Sequence, residues 1–188
     1  MKILLTAINA KYIHSNLAVY DLRAYAKDFE EHILLREYTI NQTKDDILRA
    51  IYLEHPDVIC MSCYIWNVSF VKELVMDLAK ILPDTLFWAG GPEVSFDAER
   101  FLLENPAFTG VMMGEGEETF LELVKYYVEK SEVEPEEDTA EVLRNRQDMV
   151  RVDSGVTGLS VIKGIVYRAE NGIRHNGCRI RHKQHHLL

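Results

Sequence analysis

The sequence lacks the features that mark secreted, disulfide-bonded or membrane proteins. Its three cysteines are an odd number and predict no disulfide framework. No apolar run reaches the ~18 residues that a membrane-spanning helix needs. The short apolar stretch at the amino terminus has no small-residue cleavage site after it, as a signal peptide would. These absences predict a cytoplasmic protein without a membrane partner.

Positive charge is also scarce, since 21 lysines and arginines face 30 aspartates and glutamates, giving a net charge of -9. Affinity for nucleic acid rests largely on cationic side chains that neutralise phosphates, so we expect no nucleic-acid partner. The composition is 47% hydrophobic and 27% charged, which is typical of one packed globular domain.

Phosphate-binding motifs are missing too. The first apolar run is followed by Asn-Ala-Lys, without the Gly-x-G-x-x-Gly of dinucleotide sites or the Gly-Lys-Ser/Thr of nucleoside triphosphate sites. The same loop has no acidic cluster to hold a magnesium ion, which excludes a phosphoryl-receiver domain.

Apolar runs of strand length alternate along the chain with segments of helical period. The predicted strands cover residues 2–8, 33–38, 57–63, 85–89 and 110–113, and the predicted helices cover 17–29, 43–54, 67–82, 97–104 and 117–130. Asn41 and Thr43 are both candidate N-caps for the second helix. Near-continuous apolar strands alternating with helices predict an α/β fold whose parallel sheet has strand order 2-1-3-4-5.

The composition changes after residue 130. Residues 131–154 are rich in acidic side chains around Pro135 and read as an exposed linker. In residues 155–188, apolar stretches at 159–168 and 172–175 flank an Asn-Gly turn, which predicts a β-hairpin, followed by a basic, His-rich tail. We therefore expect a domain over 1–130, a linker, and a hairpin extension.

Ligands of open α/β sheets bind beyond the carboxyl ends of the strands, where the strand order reverses. The loops 9–16, 64–67, 90–95 and 114–117 should meet there. Their sequences leave two interpretations open: Ser15 or Asn16 caps a helix or rims a ligand, and Gly90-Gly91 makes a tight turn or lets a ligand approach the backbone.

Cys60 and Cys63 form a Cys-x-x-Cys pair, but both lie within an apolar strand and no second pair exists. Redox and zinc-binding motifs of this kind belong at helix starts or in paired sets. We therefore predict that Cys60 belongs to the core and that the pair binds no metal.

Four segments in this order, residues 9–18, 62–67, 90–94 and 114–120, resemble the N-terminal cobalamin-binding domain of cobalamin-dependent radical S-adenosylmethionine (SAM) proteins. The resemblance implies a Rossmann-like (flavodoxin-like) fold that holds cobalamin, or vitamin B12, against a radical SAM domain of the same full-length chain. It implies a methyltransferase-like parent enzyme of which this chain is a module with no catalytic residues of its own. The cofactor-binding residues it implies are Asn9, Tyr12, His14, Ser15, Asn16, Ser62, Tyr64, Trp66, Asn67, Gly90, Gly91, Pro92, Glu93, Gly114, Glu115 and Gly116.

Two motifs of related families are absent from this sequence, so the metal-binding roles that depend on them are not expected here. Many cobalamin domains place Asp-x-His-x-x-Gly after the first strand, but His14 here is followed by Ser-Asn-Leu, so no axial histidine to cobalt is expected. Radical SAM enzymes need Cys-x-x-x-Cys-x-x-Cys, which these cysteines do not supply. The resemblance therefore places S-adenosylmethionine and the 4Fe-4S cluster in a domain beyond residue 188.

Two other functions suit the same fold. One is a flavodoxin-like domain for a small molecule or nucleotide, and the other is an α/β module that docks a protein through an apolar face. Titration with cobalamin, followed by visible absorbance, would separate the resemblance from both.

Overall fold

A computed structural model describes residues 1–10, 16–133 and 156–179. The strands are β1 (Ile3–Asn9), β2 (Ile33–Thr39), β3 (Val58–Ser62), β4 (Leu86–Gly90), β5 (Gly110–Met112), β6 (Ile165–Ala169) and β7 (Gly172–His175). The helices are α1 (Leu17–Tyr25), α2 (Lys44–Glu54), α3 (Val68–Ile81), α4 (Pro92–Ser95), α5 (Ala98–Glu104), α6 (Glu117–Val133) and α7 (Val156–Leu159).

All seven strands form one sheet in the order β2-β1-β3-β4-β5-β6-β7. Strands β1 to β5 are parallel, which confirms the predicted order 2-1-3-4-5. The predicted hairpin is β6–β7, and it continues the same sheet because β6 pairs antiparallel to β5. Consequently β6 begins at the edge where β5 ends.

Each face of the sheet carries its own apolar layer, because successive side chains of a strand point to opposite faces. Leu4, Ile59 and Phe87 pack against α2, α3 and α5. Leu5, Cys60 and Trp88, one position further along the same strands, pack with α1 and α6. Burial on both faces explains why the parallel strands read as continuous apolar runs.

Helix ends follow the sequence signals in most places. Thr43 caps α2, since its hydroxyl accepts a hydrogen bond from the Asp46 amide at 3.2 Å, so Asn41 is not the cap. The predicted helix over 17–29 is too long: α1 ends at Tyr25, and a 3-10 helix spans Lys27–His32. Phe29 has non-helical dihedral angles there, because the chain tightens before it enters β2 at Ile33.

Two further boundaries differ from the prediction. The first hairpin strand begins at Ile165 instead of residue 159, because Leu159 ends α7 and packs in the core with Ile162. Gly164, with φ 78°, reverses the chain before the strand. The loop after β4 contains the short helix α4, whose four residues are too few to show a helical period. Residues 131–133 of the predicted linker belong to α6, and the rest of it lies outside the described residues, as does the basic tail from 180.

Within residues 1–10, 16–133 and 156–179, no helix is both long and apolar enough to cross a membrane.

Candidate functional site

The strand order reverses between β1 and β3. Helix α1, which follows β1, packs on one face of the sheet through Val19. Helix α3, which follows β3, packs on the opposite face through Val71. The two chain segments therefore part at the carboxyl ends of these strands, and a crevice opens where ligands of open α/β sheets bind.

A cavity of about 400 Å³ lies in this crevice, on the face covered by α1 and α6. Its volume falls in the range of ~300–1,000 Å³ that small-molecule sites occupy. Of the predicted residues, Ser62 and Tyr64 line it after β3, Gly90, Gly91 and Pro92 after β4, and Gly114, Glu115 and Gly116 after β5. Three of the four predicted loops therefore converge at one edge of the sheet.

The strand register explains why there is space. Ala7, Ser62, Gly90 and Met112 stand side by side across β1, β3, β4 and β5, in the last row of this face. Small side chains at three of the four positions leave a depression between α1 and the sheet. The preceding row supplies its floor, and includes Leu5.

Gly90 and Gly91 are glycine for different reasons. A Cβ on Gly91 would lie 2.4 Å from the Cys63 carbonyl oxygen, and its φ of 111° excludes most side chains. A Cβ on Gly90 would come no nearer than 3.6 Å to another heavy atom, which is ordinary contact. The turn itself therefore requires Gly91. At position 90 neither a close contact nor the backbone conformation requires glycine, and the missing side chain leaves the cavity open.

Both ends of the first loop are held by Glu37 on β2. Its carboxylate accepts hydrogen bonds from the Asn9 side chain at 2.8 Å, the Asn16 amide at 2.7 Å and the Tyr20 hydroxyl at 2.7 Å. Partial burial raises the pKa of Glu37, but the bonds from Asn16, Tyr20 and Asn9 outweigh it and hold the pKa below its ordinary value. Sequence reasoning missed this residue.

Asn16 occupies the N-cap position of α1, yet its side chain makes no capping hydrogen bond. Instead its side-chain amide nitrogen donates to the hydroxyl of Ser62, on the cavity wall, at 3.3 Å. Asn16 therefore links the first loop to the wall of the cavity, and it is not the capping residue that one interpretation of this loop required. Tyr12, His14 and Ser15 lie outside the described residues.

The turn after β3 carries a stacked aromatic pair. The rings of Tyr64 and Trp66 lie 4.5 Å apart and 8° from parallel, with Trp66 half exposed. Asn67 is fully buried and does not line the cavity. Its amide donates to the carbonyls of Ile8 and Ser62, and its oxygen accepts from the Tyr64 amide. Asn67 thus fixes the turn, and Tyr64 and Trp66 form its surface.

Acidic residues surround the cavity mouth. Glu115 and Glu117 line it at the start of α6, where carboxylates suit the helix dipole. Glu93 is exposed on α4 and is not part of the cavity wall. Gly116 packs against α1, since a Cβ there would lie 3.1 Å from Leu22.

Cys60 and Cys63 are buried, as predicted for Cys60 as a core residue. Burial raises the pKa of each thiol to about 12, so both are protonated at neutral pH. Among the residues that the structure describes, no group of three histidine, cysteine, aspartate or glutamate side chains could hold a metal ion.

The walls of the cavity include residues that the motifs did not indicate. These are mainly apolar, and come from the strands and from α1: Leu5, Val19, Leu22, Cys60 and Met112, with Ser95 from α4. Alternation along each strand places Cys60 on the face of Ser62, and Leu5 on the face of Ala7. This alternation can be read from the sequence, but it does not tell which face of the sheet α1 covers.

Comparison with known proteins agrees with this geometry. The family model of the B12 binding domain matches residues 3–124. Over 101 residues the chain is 32% identical to the cobalamin-dependent radical SAM methyltransferase TokK of Streptomyces tokunonensis. This match covers 54% of the present chain and 14% of that protein. Over 75 residues it is 35% identical to the 2-(S-pantetheinyl)-carbapenam-3-carboxylate methyltransferase of Streptantibioticus cattleyicolor, covering 40% of this chain and 11% of that protein.

The fold matches that of OxsB, a cobalamin-dependent S-adenosylmethionine radical enzyme whose structure holds aqua-cobalamin and S-adenosylmethionine. The TM-score is 0.64 at 18% identity, over 96% of this chain and 22% of that one. The matches thus span only a small part of each of these larger proteins. A family model that covers most of the sheet, including the three loops that line the cavity, decides the assignment: the chain belongs to the B12-binding domain family.

Proposed function

We propose that the cavity takes the nucleotide tail of cobalamin and that the corrin ring lies over its mouth. The observation that carries this proposal is Gly90, whose missing side chain is not explained by the backbone or by packing. A Cβ there would project into the space between Ser62 and Met112, its neighbours across the sheet. A bulky ligand inserted from the carboxyl edge accounts for a glycine at this position.

The surface around the mouth suits a large ring with amide side chains. Apolar side chains that stand near the carboxyl edge are strongly exposed, including Leu17 (73%), Ile65 (78%) and Phe96 (98%). With the stacked Tyr64 and Trp66 they make up the apolar platform of this proposal, the exposed apolar side chains at the carboxyl edge. Ser62, which lines the cavity, carries a hydroxyl that can bond to an amide group.

The rival ligand, a mononucleotide, suits the cavity less well. The described residues that line the cavity include no lysine or arginine, but they include Glu115 and Glu117. A phosphate monoester brings nearly two negative charges, which these carboxylates repel. The nucleotide tail of cobalamin has a phosphodiester with a single negative charge, and the side chains of its corrin ring are neutral amides.

A second domain above the platform completes the proposal. Bound cobalamin supplies a cobalt centre that carries a methyl group, while S-adenosylmethionine and a 4Fe-4S cluster belong to a radical SAM domain of the parent protein. The hairpin supports this arrangement, because β7 returns the chain to the carboxyl edge. There Arg179 bonds to Glu118, Glu122 and Thr119 on α6, close to the cavity.

A graded substitution at Gly90 tests the site. In Gly90→Ala the new methyl group makes only ordinary contacts, so we expect unchanged or slightly raised stability and moderately weaker binding of hydroxocobalamin. In Gly90→Leu the side chain fills the cavity, so binding should fall by roughly tenfold or more, as steric exclusion from a pocket predicts. Equilibrium dialysis with visible absorbance measures both.

Gly90→Ala serves as the matched control, because it changes the backbone in the same way without filling the space. Circular dichroism of each variant checks that the fold is kept. Binding that is equal in the parent chain, Gly90→Ala and Gly90→Leu would contradict the proposed site. Absence of binding by the parent chain would contradict the proposed function.

A further inference from the structure

The inner end of the cavity differs in chemistry from its mouth. Its walls are Leu5 and Cys60 from the sheet and Val19 and Leu22 from α1. Leu5, Cys60 and Val19 are at most 2% exposed. Leu5 and Cys60 lie two positions before Ala7 and Ser62 on their strands, roughly 7 Å further from the carboxyl edge. The inner end is therefore a dry, hydrocarbon-lined slot.

The polar groups of the described walls lie nearer the mouth, and several are already engaged. The Ser95 hydroxyl donates to the Gly91 carbonyl at 2.7 Å. The Ser62 hydroxyl accepts from Asn16 at 3.3 Å. In the slot itself, the backbone groups of β1 and β3 pair within the sheet.

The Cys60 thiol is the polar atom of the slot. Burial raises its pKa to about 12, so it is neutral, and a thiol is a weak hydrogen-bond donor. A heteroaromatic ring placed against Leu5, Val19 and Cys60 would therefore find few partners for polar atoms on its edge. An apolar ring would lose nothing by leaving water.

From this we infer, on the basis of the proposed function, that the slot selects among cobamides by their lower base. It favours bases with an apolar edge, such as dimethylbenzimidazole or a phenol attached through its oxygen. It disfavours purines such as adenine, whose exocyclic amine and ring nitrogens would lose their hydrogen bonds to water without replacement. Polar atoms buried without partners are the strongest source of discrimination between ligands of similar shape.

Equilibrium dialysis of the chain against four corrinoids tests the inference. The probes are cobalamin, a p-cresolyl cobamide, an adeninyl cobamide, and cobinamide, which has no nucleotide tail. We expect the first two to bind with similar affinity and the adeninyl cobamide to bind roughly tenfold more weakly or worse. Cobinamide should also bind more weakly than cobalamin, because it leaves the slot empty.

The possible outcomes distinguish a failure of the inferred base selectivity from a failure of the proposed cobalamin binding. Equal or tighter binding of the adeninyl cobamide overturns the inference while leaving cobalamin binding intact. Equal binding of cobinamide and cobalamin would show that the slot does not hold the nucleotide tail. That result overturns both the inferred selectivity and the proposed position of the tail. If none of the four corrinoids binds, the proposed function itself fails.

A matched pair of variants tests the cause. Leu22 is partly buried at the edge of the slot, so Leu22→Gln places an amide there and Leu22→Met keeps a side chain of similar length apolar. We expect the preference for cobalamin over the adeninyl cobamide to shrink severalfold in Leu22→Gln and to persist in Leu22→Met. An identical preference in both variants would contradict selection by the chemistry of the slot wall. The preference is a ratio within one protein, so it is insensitive to small losses of stability.

Discussion

Glu37 holds the loop after β1 from a neighbouring strand, through three hydrogen bonds to Asn9, Asn16 and Tyr20. Since its pKa is lower in the folded protein, the charged form is favoured by folding. The resulting stability is fully present above the pKa of the unfolded chain, and it is lost as the pH falls through the lowered folded value. Its position shows how one carboxylate on a neighbouring strand can join the end of β1 to the start of α1.

We predict that Glu37→Ala lowers the free energy of unfolding at pH 7 by about 1–3 kcal/mol, because three donors lose a charged acceptor. Glu37→Gln should lose less, since its amide oxygen keeps part of the network. Urea unfolding measures both changes, and the gap between the parent and Glu37→Gln should narrow toward acid pH. Glu31→Ala, at an exposed position, is the control. An equally large loss in that control would contradict a specific role for Glu37.

Gly91 and Gly114 both have positive φ, at 111° and 72°, but their surroundings differ. A Cβ on Gly91 meets the Cys63 carbonyl, whereas one on Gly114 meets nothing within 4 Å. We predict that Gly91→Ala costs at least about 2 kcal/mol of stability and Gly114→Ala about 1 kcal/mol, the ordinary cost of left-handed strain. Thermal unfolding of the two variants checks this order. Equal losses would mean that the contact with Cys63 relaxes at little cost.

The β6–β7 hairpin depends on a buried arginine. Arg168 on β6 is 8% exposed, and its guanidinium donates to the carbonyls of Phe108, Asn105 and Leu102, near the end of α5. Burial lowers the pKa of Arg168, so the bonds to these carbonyls compensate for the loss of water around the charge. The side chain thus joins the hairpin to the layer that α5 covers.

Arg168→Leu should destabilise the hairpin by about 1–3 kcal/mol, because the carbonyls of Phe108, Asn105 and Leu102 each lose a hydrogen bond. The carbonyls of Leu102 and Asn105 keep their bonds from the amides of Asn105 and Phe108. We expect faster hydrogen exchange at the amides of β6 and β7, with little change in β1 and β3. Arg168→Lys should recover part of the protection, since a lysine reaches fewer of the acceptors. Uniformly faster exchange across the whole sheet would instead indicate that the arginine supports the entire fold.

Element boundaries show how far sequence patterns reach. Alternation and helical period predicted β1 to β5 and their order, because burial on both faces leaves the strands continuously apolar. The split between α1 and the following 3-10 helix was missed, since Phe29 is apolar at the helical period and only its dihedral angles break the helix. The hairpin strand was drawn too long because Leu159 and Ile162 are core residues of a turn, not of a strand.

The candidate site, like the element boundaries, was predicted from the sequence only in part. Glycines and polar residues at strand ends were visible as motifs, so Ser62 and Gly90 were predicted and do line the cavity. Glu37 was not visible, because its role depends on β2 lying beside β1. The inner slot required knowing that α1 covers the face of Leu5 and Cys60. Such long-range packing is not encoded in any local pattern.

Taken whole, the molecule has its candidate site at one edge of the sheet and a different set of contacts at the opposite edge. The cavity, the aromatic pair and the start of α6 lie at the carboxyl ends of the parallel strands. At the opposite ends, Lys2 and Asp57 are joined by a hydrogen bond from the Lys2 amide at 2.5 Å. Ligand binding should therefore stabilise the two ends of the sheet unequally.

Cobalamin at one hundred times its dissociation constant should add about 2.7 kcal/mol of stability, since it binds the folded state alone. A rise in melting temperature measures this gain. Gly90→Leu, which should bind at least tenfold more weakly, should keep about 1.4 kcal/mol of it or less at the same concentration. Hydrogen exchange should slow most in the turns after β3, β4 and β5. Slowing confined to the amino ends of the strands would place the ligand elsewhere.

The placement of the three cysteines also makes the chain a candidate optical sensor. Cys60 and Cys63 are buried with pKa values of about 12, whereas Cys178 is exposed. A maleimide dye should therefore label Cys178 selectively, because the dye reaches an exposed thiol and not the two buried ones. Cys178 adjoins Arg179, which is held to the first turns of α6 beside the cavity. Corrin rings absorb visible light, so a dye fixed there would dim on cobalamin binding and report occupancy of the site in real time.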